Sequence, residues 1–320
     1  MEMKSCLCQG TDVGPKTCKD VKLERPPCRL LRVFETHAAT GHSVFPGITL
    51  TYDDVRESHC PTAGSSSETV LEIHHCKEGR MERAFEDGFF YLSPGDLALN
   101  RGGRAGADVH YPLGRYQGIT IEIDLNRTPD CLACFLEDVN VRPHALFEKF
   151  CGEKSVFVMR AKPSLEHIFS ELYHVPPTVR QGYFKVKILE LMLFLSGLDE
   201  REGALSNHSC TKSQVALAKE VCCHLTEHMD KKITIETLAK RFHASPTMIK
   251  NSFKGVYGVS VYAYIRAQKM QAAAFALRQT DTPVLEIAGQ YGYDNGSKFA
   301  KAFKETMGMS PREYRAFAEV

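Results

Sequence analysis

The chain is expected to be α+β, with a β-barrel or double-sheet jelly roll accompanied by helices in its N-terminal part. An all-α domain of two helix-turn-helix units joined by one long helix should follow. Three observations predict this. Between Val44 and Asp124 the apolar residues fall in short β-branched or aromatic runs separated by turn residues. Over the last eighty or so residues the spacing changes to the helical period, and one pattern of cap, short helix, turn and second helix occurs twice. The charge divides the same way: residues 211–320 carry 16 Lys+Arg against 10 Asp+Glu, and the preceding residues carry 24 against 29.

With 320 residues, 43% hydrophobic and 25% charged, the chain is long enough for two domains with their own cores. No apolar run approaches the roughly 18 residues of a membrane span, and Met1-Glu-Met-Lys-Ser-Cys6 lacks the order of a signal peptide. A cytoplasmic location is expected. Residues 1–30, rich in Lys, Pro and Cys and without periodicity, read as a loosely ordered arm. Four of the twelve cysteines (Cys6, Cys8, Cys18, Cys28) lie there. Cys6-Leu-Cys8 is too tight for a zinc ligand pair and Cys131-Leu-Ala-Cys134 stands alone, so free thiols are expected, and neither metal nor cofactor.

The strand runs are Ile48–Tyr52, Val70–Cys76, Met81–Phe85, Phe89–Leu92, Leu97–Leu99 and Ile119–Asp124. In the last, Ile119, Ile121 and Ile123 alternate with Thr120, Glu122 and Asp124. Glu86-Asp-Gly88 and Ser93-Pro-Gly-Asp96 are tight turns. Of His74-His75-Cys76, only His75 is in phase with Leu71 and Ile73, which predicts a buried, hydrogen-bonded histidine. The loop from Asn100 to Gly118 carries Arg101, Arg104, His110, Tyr111, Arg115 and Tyr116. It reads either as a solvated hairpin or as a lid. In the second reading His75, Arg101, Arg104, His110, Arg115 and Tyr116 would form a pocket for an anionic aromatic small-molecule effector.

Helices are expected from Pro143 to Cys151, Ser164 to Tyr173 and Thr178 to Leu198. The third is apolar over more than one stripe and must be covered on two sides, by the sheet and by either a second copy of the chain or the chain's own helices. These segments complete an N-terminal domain over 31–198. Residues 199–211 form a polar linker, and 212–320 the C-terminal domain, whose first helix runs from Lys212 to Met229.

In the first unit Thr234 caps a helix that buries Ile235, Leu238, Ala239 and Phe242. Ser245-Pro246 then starts a second, burying Met248, Ile249, Phe253 and Val256 and exposing Thr247, Lys250, Asn251 and Lys254. A helix from about Val259 to Gln279 follows. In the second unit Thr282-Pro283 opens a short helix packed through Val284, Ile287 and Ala288. The helix beginning at Asn295 buries Phe299 and Phe303 and exposes Ser297, Lys298, Lys301 and Lys304. The joining helix, roughly 30 Å at 1.5 Å per residue, approximates the roughly 34–36 Å turn of B-DNA. Both second helices could enter successive major grooves. A bundle for protein contacts is the competing reading, and the basic balance of this third argues against it.

At Leu238-Ala239, Ser245, Phe253-Lys254, Gly258, Ile287-Ala288, Gly292-Tyr293, Phe299, Phe303-Lys304, Gly308 and Ser310-Pro-Arg-Glu-Tyr-Arg315 the chain resembles the AraC/XylS family of bacterial transcription regulators. It departs at His243, where the family has a turn Gly, and at Lys269, where it has Arg. The Ser93–Asp96 turn more weakly resembles those of cupin-type sensor domains, which makes the expected N-terminal fold a cupin-like β-barrel. The resemblance implies binding to double-stranded DNA, with Thr247, Lys250, Asn251, Ser297 and Lys301 at base edges and Lys254, Lys298 and Lys304 on phosphates. It also implies a small-molecule effector, homodimers through the third N-terminal-domain helix, activation and RNA polymerase as a further partner. Two other classes stay open. A DNA-repair alkyl acceptor with an AraC-like module would need a cysteine zinc site, and an enzyme using the barrel would need an acid/base or metal constellation; neither pattern is written in the sequence.

Overall fold

The computed structural model describes residues 37–56, 59–60, 67–85, 88–102, 109–133, 141–152, 156–199 and 209–318. The expected N-terminal arm, Arg104 and most of the expected linker lie outside them. In the N-terminal domain the strands are β1 (His37–Phe45), β2 (Ile48–Val55), β3 (His59–Cys60), β4 (Val70–Gly79), β5 (Met81–Phe85), β6 (Gly88–Leu92), β7 (Leu97–Arg101), β8 (Val109–His110), β9 (Tyr116–Asp124) and β10 (Val156–Met159). All six expected strands are present. β10 was not legible as one, and β1 begins seven residues before Val44.

The strands form two open antiparallel sheets, ordered β1-β2-β9-β4-β7-β10 and β11-β6-β5-β8-β3, where β11 (Ser209–Thr211) comes from the start of the C-terminal region. Among the described residues no strand pairing closes them into a barrel. The sheets pack face to face: Val55, Cys76, Ala98, Tyr116 and Val158 of the larger meet Met81, Phe90, Leu92 and Val109 of the smaller. The other face of the larger sheet is covered by α1 (Pro143–Cys151), α2 (Pro163–Leu172) and α3 (Arg180–Gly197). Because successive strand residues point to opposite faces, Ile119, Ile121 and Ile123 of β9 and Leu71 and Ile73 of β4 go to the helices. Glu72, His74 and Cys76 therefore fall on the face toward the second sheet.

Both α1 and α2 begin with Pro at the first turn, where the missing N–H costs nothing. A short 3-10 turn, Pro177–Val179, leads into α3, which buries Phe184, Ile188, Leu191, Met192 and Leu195 against the sheet. Lys187 is buried beside them, paired with Glu171 and with Glu190 at 2.7 Å. The opposite side leaves Val186 and Leu193 at 62% and 49% exposure, so no helix among the described residues covers it.

The C-terminal helices are α4 (Lys212–Glu227), α5 (Ile235–Arg241), α6 (Pro246–Tyr257), α7 (Val261–Gln279), α8 (Val284–Gln290), α9 (Gly296–Met307) and α10 (Pro311–Ala318). Thr211 starts α4 with a reciprocal capping box to Gln214. Thr234, Ser245, Ser260 and Asn295 cap α5, α6, α7 and α9. At α8 the expectation is off by one residue: Pro283 itself holds the cap position with no side-chain cap, and the helix starts at Val284. One core gathers α4, α5 and α6 around Leu238, Ile249 and Phe253. A second gathers α7, α8 and α9 around Met270, Ile287, Phe299 and Phe303. Each Phe is fully buried, so truncating one to Ala would cost about 3–5 kcal/mol.

Candidate nucleic-acid interface and its contact with the N-terminal domain

Each unit presents its second helix in the same way. Ser245 Oγ accepts from the Met248 N–H at 3.1 Å, and Asn295 Oδ1 accepts from Ser297 and Lys298 N–H at 2.9 and 3.1 Å. Both helices end at a glycine in the left-handed region, Gly258 at φ 76° and Gly308 at φ 83°. The turns before them are matched as well: His243 at φ 50° is the one non-glycine residue with positive φ among those described, and Gly292 has φ 76°. The turn demands the left-handed conformation, and His243 adopts it as a side chain that tolerates it better than most.

Thr247, Lys250, Asn251 and Lys254 are all exposed on α6, as are Ser297, Lys298, Lys301 and Lys304 on α9. The structure thus brings the expected contact residues onto two helix faces. Met248, expected in the core, is 52% exposed, and Ser252 is buried in its place, one face of the helix being rotated slightly from the apolar pattern. The two units are held by α7, whose 19 residues span about 28 Å. Lys269 on α7 reaches the Lys231 carbonyl at 3.4 Å, and a side chain at Gly292 would lie 3.3 Å from its Nζ. It thus bridges the α4–α5 connection and the second turn by a single contact, as its point charge permits. Arg266 pairs with Glu305 of α9, and Arg315 donates to the carbonyls of Leu277 at 3.3 Å and Thr282 at 2.5 Å.

The first unit does not stand free of the N-terminal domain. At the turn between β4 and β5, Arg80 donates from Nε to the Val256 carbonyl at 2.6 Å and from a terminal nitrogen to the Gly255 carbonyl. These are among the last carbonyls of α6, which lack intrahelical partners, and a cation there also complements the helix dipole. Arg80 is only 6% exposed, lies over the Tyr91 ring at 4.9 Å and is also held by Ser93. Beside it, fully buried Glu82 accepts from Tyr91 at 2.6 Å and from Lys219 of α4 at 2.7 Å. β11 joins the edge of β6 with Cys210 opposite Phe89. A Cβ at Gly255 would fall 2.7 Å from Cys210 Sγ, so this approach requires glycine. No sequence period announces these contacts, because they join residues 137 to 176 positions apart and a strand pair about as distant.

The residues expected in an effector pocket are distributed over several surfaces. His75 faces the helices, stacked on Phe169 at 3.9 Å with its Nδ1 3.2 Å from the Tyr173 hydroxyl, and burial pushes its pKa down to about 4. It is buried and hydrogen-bonded, as its phase predicted. Arg101 also lies on the helix side, donating to the Cys151 carbonyl at 3.0 Å. Tyr116 is buried between the sheets, His110 pairs across the small sheet with Glu82, and exposed Arg115 pairs with Glu78 at 2.8 Å. Arg104 lies outside the described residues.

Sequence reasoning missed a polar cluster between the sheets. Glu72 accepts from Arg83 at 2.8 Å and Asn100 at 2.7 Å, with His74 Nε2 at 3.3 Å; His74 Nδ1 lies 3.1 Å from Thr120 Oγ1, which donates to Asp53 at 2.7 Å. Burial alone would raise the Glu72 pKa, but the hydrogen bond and charge of His74, then Arg83 and Asn100, hold it below the usual carboxylate range. The signal was the alternation itself, with Glu72 and His74 out of phase with Leu71 and Ile73 on a strand buried on both faces.

A two-unit scaffold with lysines, Asn251 and hydroxyls on both second helices is the arrangement of a DNA-binding transcription regulator. The family model described as Helix-turn-helix domain matches residues 238–316. The arabinose operon regulatory protein of Salmonella typhimurium is 25% identical over 235 residues, covering 72% of this chain and 78% of that protein. The right origin-binding protein of Escherichia coli strain K12 is 33% identical over 106 residues, 33% of this chain and 37% of that protein. The solved DNA-binding domain of AdpA in complex with a target DNA is 28% identical, with a TM-score of 0.30 over 31% of this chain and 89% of that one. The chain is a DNA-binding transcription regulator similar to the AraC-type proteins, with a helix-turn-helix domain over residues 238–316. Among the described residues, no helix is long and apolar enough to cross a membrane.

Proposed function

We propose that the protein is an effector-responsive regulator, acting on DNA in the bacterial cytoplasm, whose cupin-like N-terminal domain restrains the first helix-turn-helix unit. The Arg80 clamp on the end of α6 carries this reading. A docked domain fixes the first unit relative to its surroundings, and an effector with higher affinity for the undocked arrangement would release it by that difference in affinity alone. Thr247, Lys250, Asn251, Ser297 and Lys301 read base edges, and Lys254, Lys298 and Lys304 hold phosphates. The loop ahead of β9 supplies the route from effector to clamp: a Cβ at Gly79 would sit 2.0 Å from the Arg115 carbonyl, so the chain at Arg115 packs directly on the turn that carries Arg80. The domain boundaries follow the same reading, with 31–198 sensing and 212–320 binding DNA. Exposed Val186 and Leu193 on α3 suit a second copy of the chain, and activation would proceed through RNA polymerase.

The test is a reporter dose-response beside an operator titration without effector, using Arg115→Ala and Arg104→Ala. Both variants should blunt the response while leaving basal operator affinity unchanged. Wild-type responses from both would move the effector site elsewhere.

A further inference from the structure

We propose that the end of α4 carries a zinc-type divalent metal site formed by His224, Glu227 and His228. Among the described residues these three bring one ligand atom each within 4.8 Å of one another. Their spacing is the cause: residues three and four apart share a helix face, and α4 ends at Glu227 with His228 as its C-cap, at φ −125° and ψ 44°. The chain leaves the helix there, and the two imidazole centroids stand 4.4 Å apart with their planes at 47°.

The hydrogen bonding at this helix end suits ligation. His228 Nδ1 lies 3.0 Å from the His224 carbonyl, and donation to that oxygen fixes the tautomer that leaves the Nε2 lone pair free, the arrangement that orients metal-binding histidines. Among the described residues, buried His224 Nδ1 has no hydrogen-bond partner, and a metal bound at that nitrogen would satisfy it. The Cys223 thiol, 3.3 Å from Glu227 Oε1, orients the carboxylate. Two imidazoles and one carboxylate form a three-ligand set of the kind that binds zinc with a fourth position open to water.

The location gives the site a consequence. His224 meets the Phe242 ring edge-on at 6.0 Å, and Phe242 is the C-cap of α5, immediately before the strained turn at His243. Metal at His224 would therefore pin the last turn of α4 against the first turn of the helix-turn-helix. This inference does not rest on effector release, and it stands or falls by metal uptake alone.

The experiment is zinc titration of the full-length protein in competition with a chromophoric chelator, so that cysteine-bound zinc is counted in every variant alike. Wild type should bind one equivalent more than His224→Gln/His228→Gln, and Glu227→Gln should weaken that equivalent by at least about tenfold, as disturbance of a ligand sphere does. Zinc should raise the unfolding temperature of wild type and not of the double variant, by mass action on the folded state. Circular dichroism checks the fold, and His228→Gln alone serves if the double variant loses helix. Equal uptake with equal affinity by wild type and folded variant, or no uptake by wild type, overturns the site.

Discussion

Arg80 Nε and the carbonyl oxygen of Val256 lie 2.6 Å apart, so a side chain of the N-terminal domain completes the last turn of a helix in the DNA-binding domain. If this bond restrains the first unit, Arg80→Ala should raise effector-free affinity for the operator and lift basal reporter output. Removing the donor also leaves the α6 carbonyls to water, at a cost to stability of about 1–3 kcal/mol. Affinity and output unchanged from wild type would remove the clamp from the regulatory scheme.

The two classes of contact residue should separate experimentally. Asn251→Ala should relax preference at one base pair by roughly 1–3 kcal/mol. Lys304→Ala should weaken all sequences alike and flatten the salt slope by about one. Equal losses on operator and random DNA for Asn251→Ala would contradict its base-reading role.

A fragment from Thr211 to Val320 keeps the capping box, both cores and both second helices, while giving up the cover of Tyr91 and Cys210. It should fold cooperatively and bind operator with less stability than the intact chain, measured by urea unfolding and titration. A fragment without a cooperative transition would place the domain boundary elsewhere.

His75 gives the N-terminal domain a pH dependence of known sign. Its folded pKa, about 4, is below the roughly 6.5 of an unfolded histidine, so unfolding takes up a proton. The stability that it contributes is present above pH 6.5 and is lost as pH falls toward 4, up to about 3 kcal/mol. His75→Phe keeps a ring on Phe169 and should flatten the fall in stability between pH 6.5 and 4.5. Glu72 is also depressed, so the stability it contributes is present above the unfolded carboxylate pKa of about 4.3 and is lost as pH falls below it, which puts most of its effect beneath that window. An unchanged slope in His75→Phe would show that His75 is not the group responsible.

What was legible in the sequence was local. Thr234, Ser245 and Asn295 announced their helices because a cap and the backbone N–H that donates to it lie within three residues. The second-helix faces followed from helical spacing, apart from Met248, whose apolar character suggested burial that the packing does not provide. Strand phase placed His75 correctly and put Glu72 and His74 on the opposite face, but phase could not say that a second sheet covers that face. β10 pairs with β7 and β11 with β6 across long intervals, and neither four residues nor three residues carry a period. The Arg80 clamp had no signal at all, since an arginine at a hairpin turn reads as solvated until the partner helix is in place.

With the two second helices, α6 and α9, fixed by α7, the proposed mode of binding places them in successive major grooves on one face of DNA. Insertion of five base pairs between the half-sites turns the second half-site to the opposite face without changing any base that is read. Affinity measured by titration on the native and inserted operators should fall at least about tenfold, the loss of one or more base contacts. Equal affinity for the two operators would contradict this mode of binding.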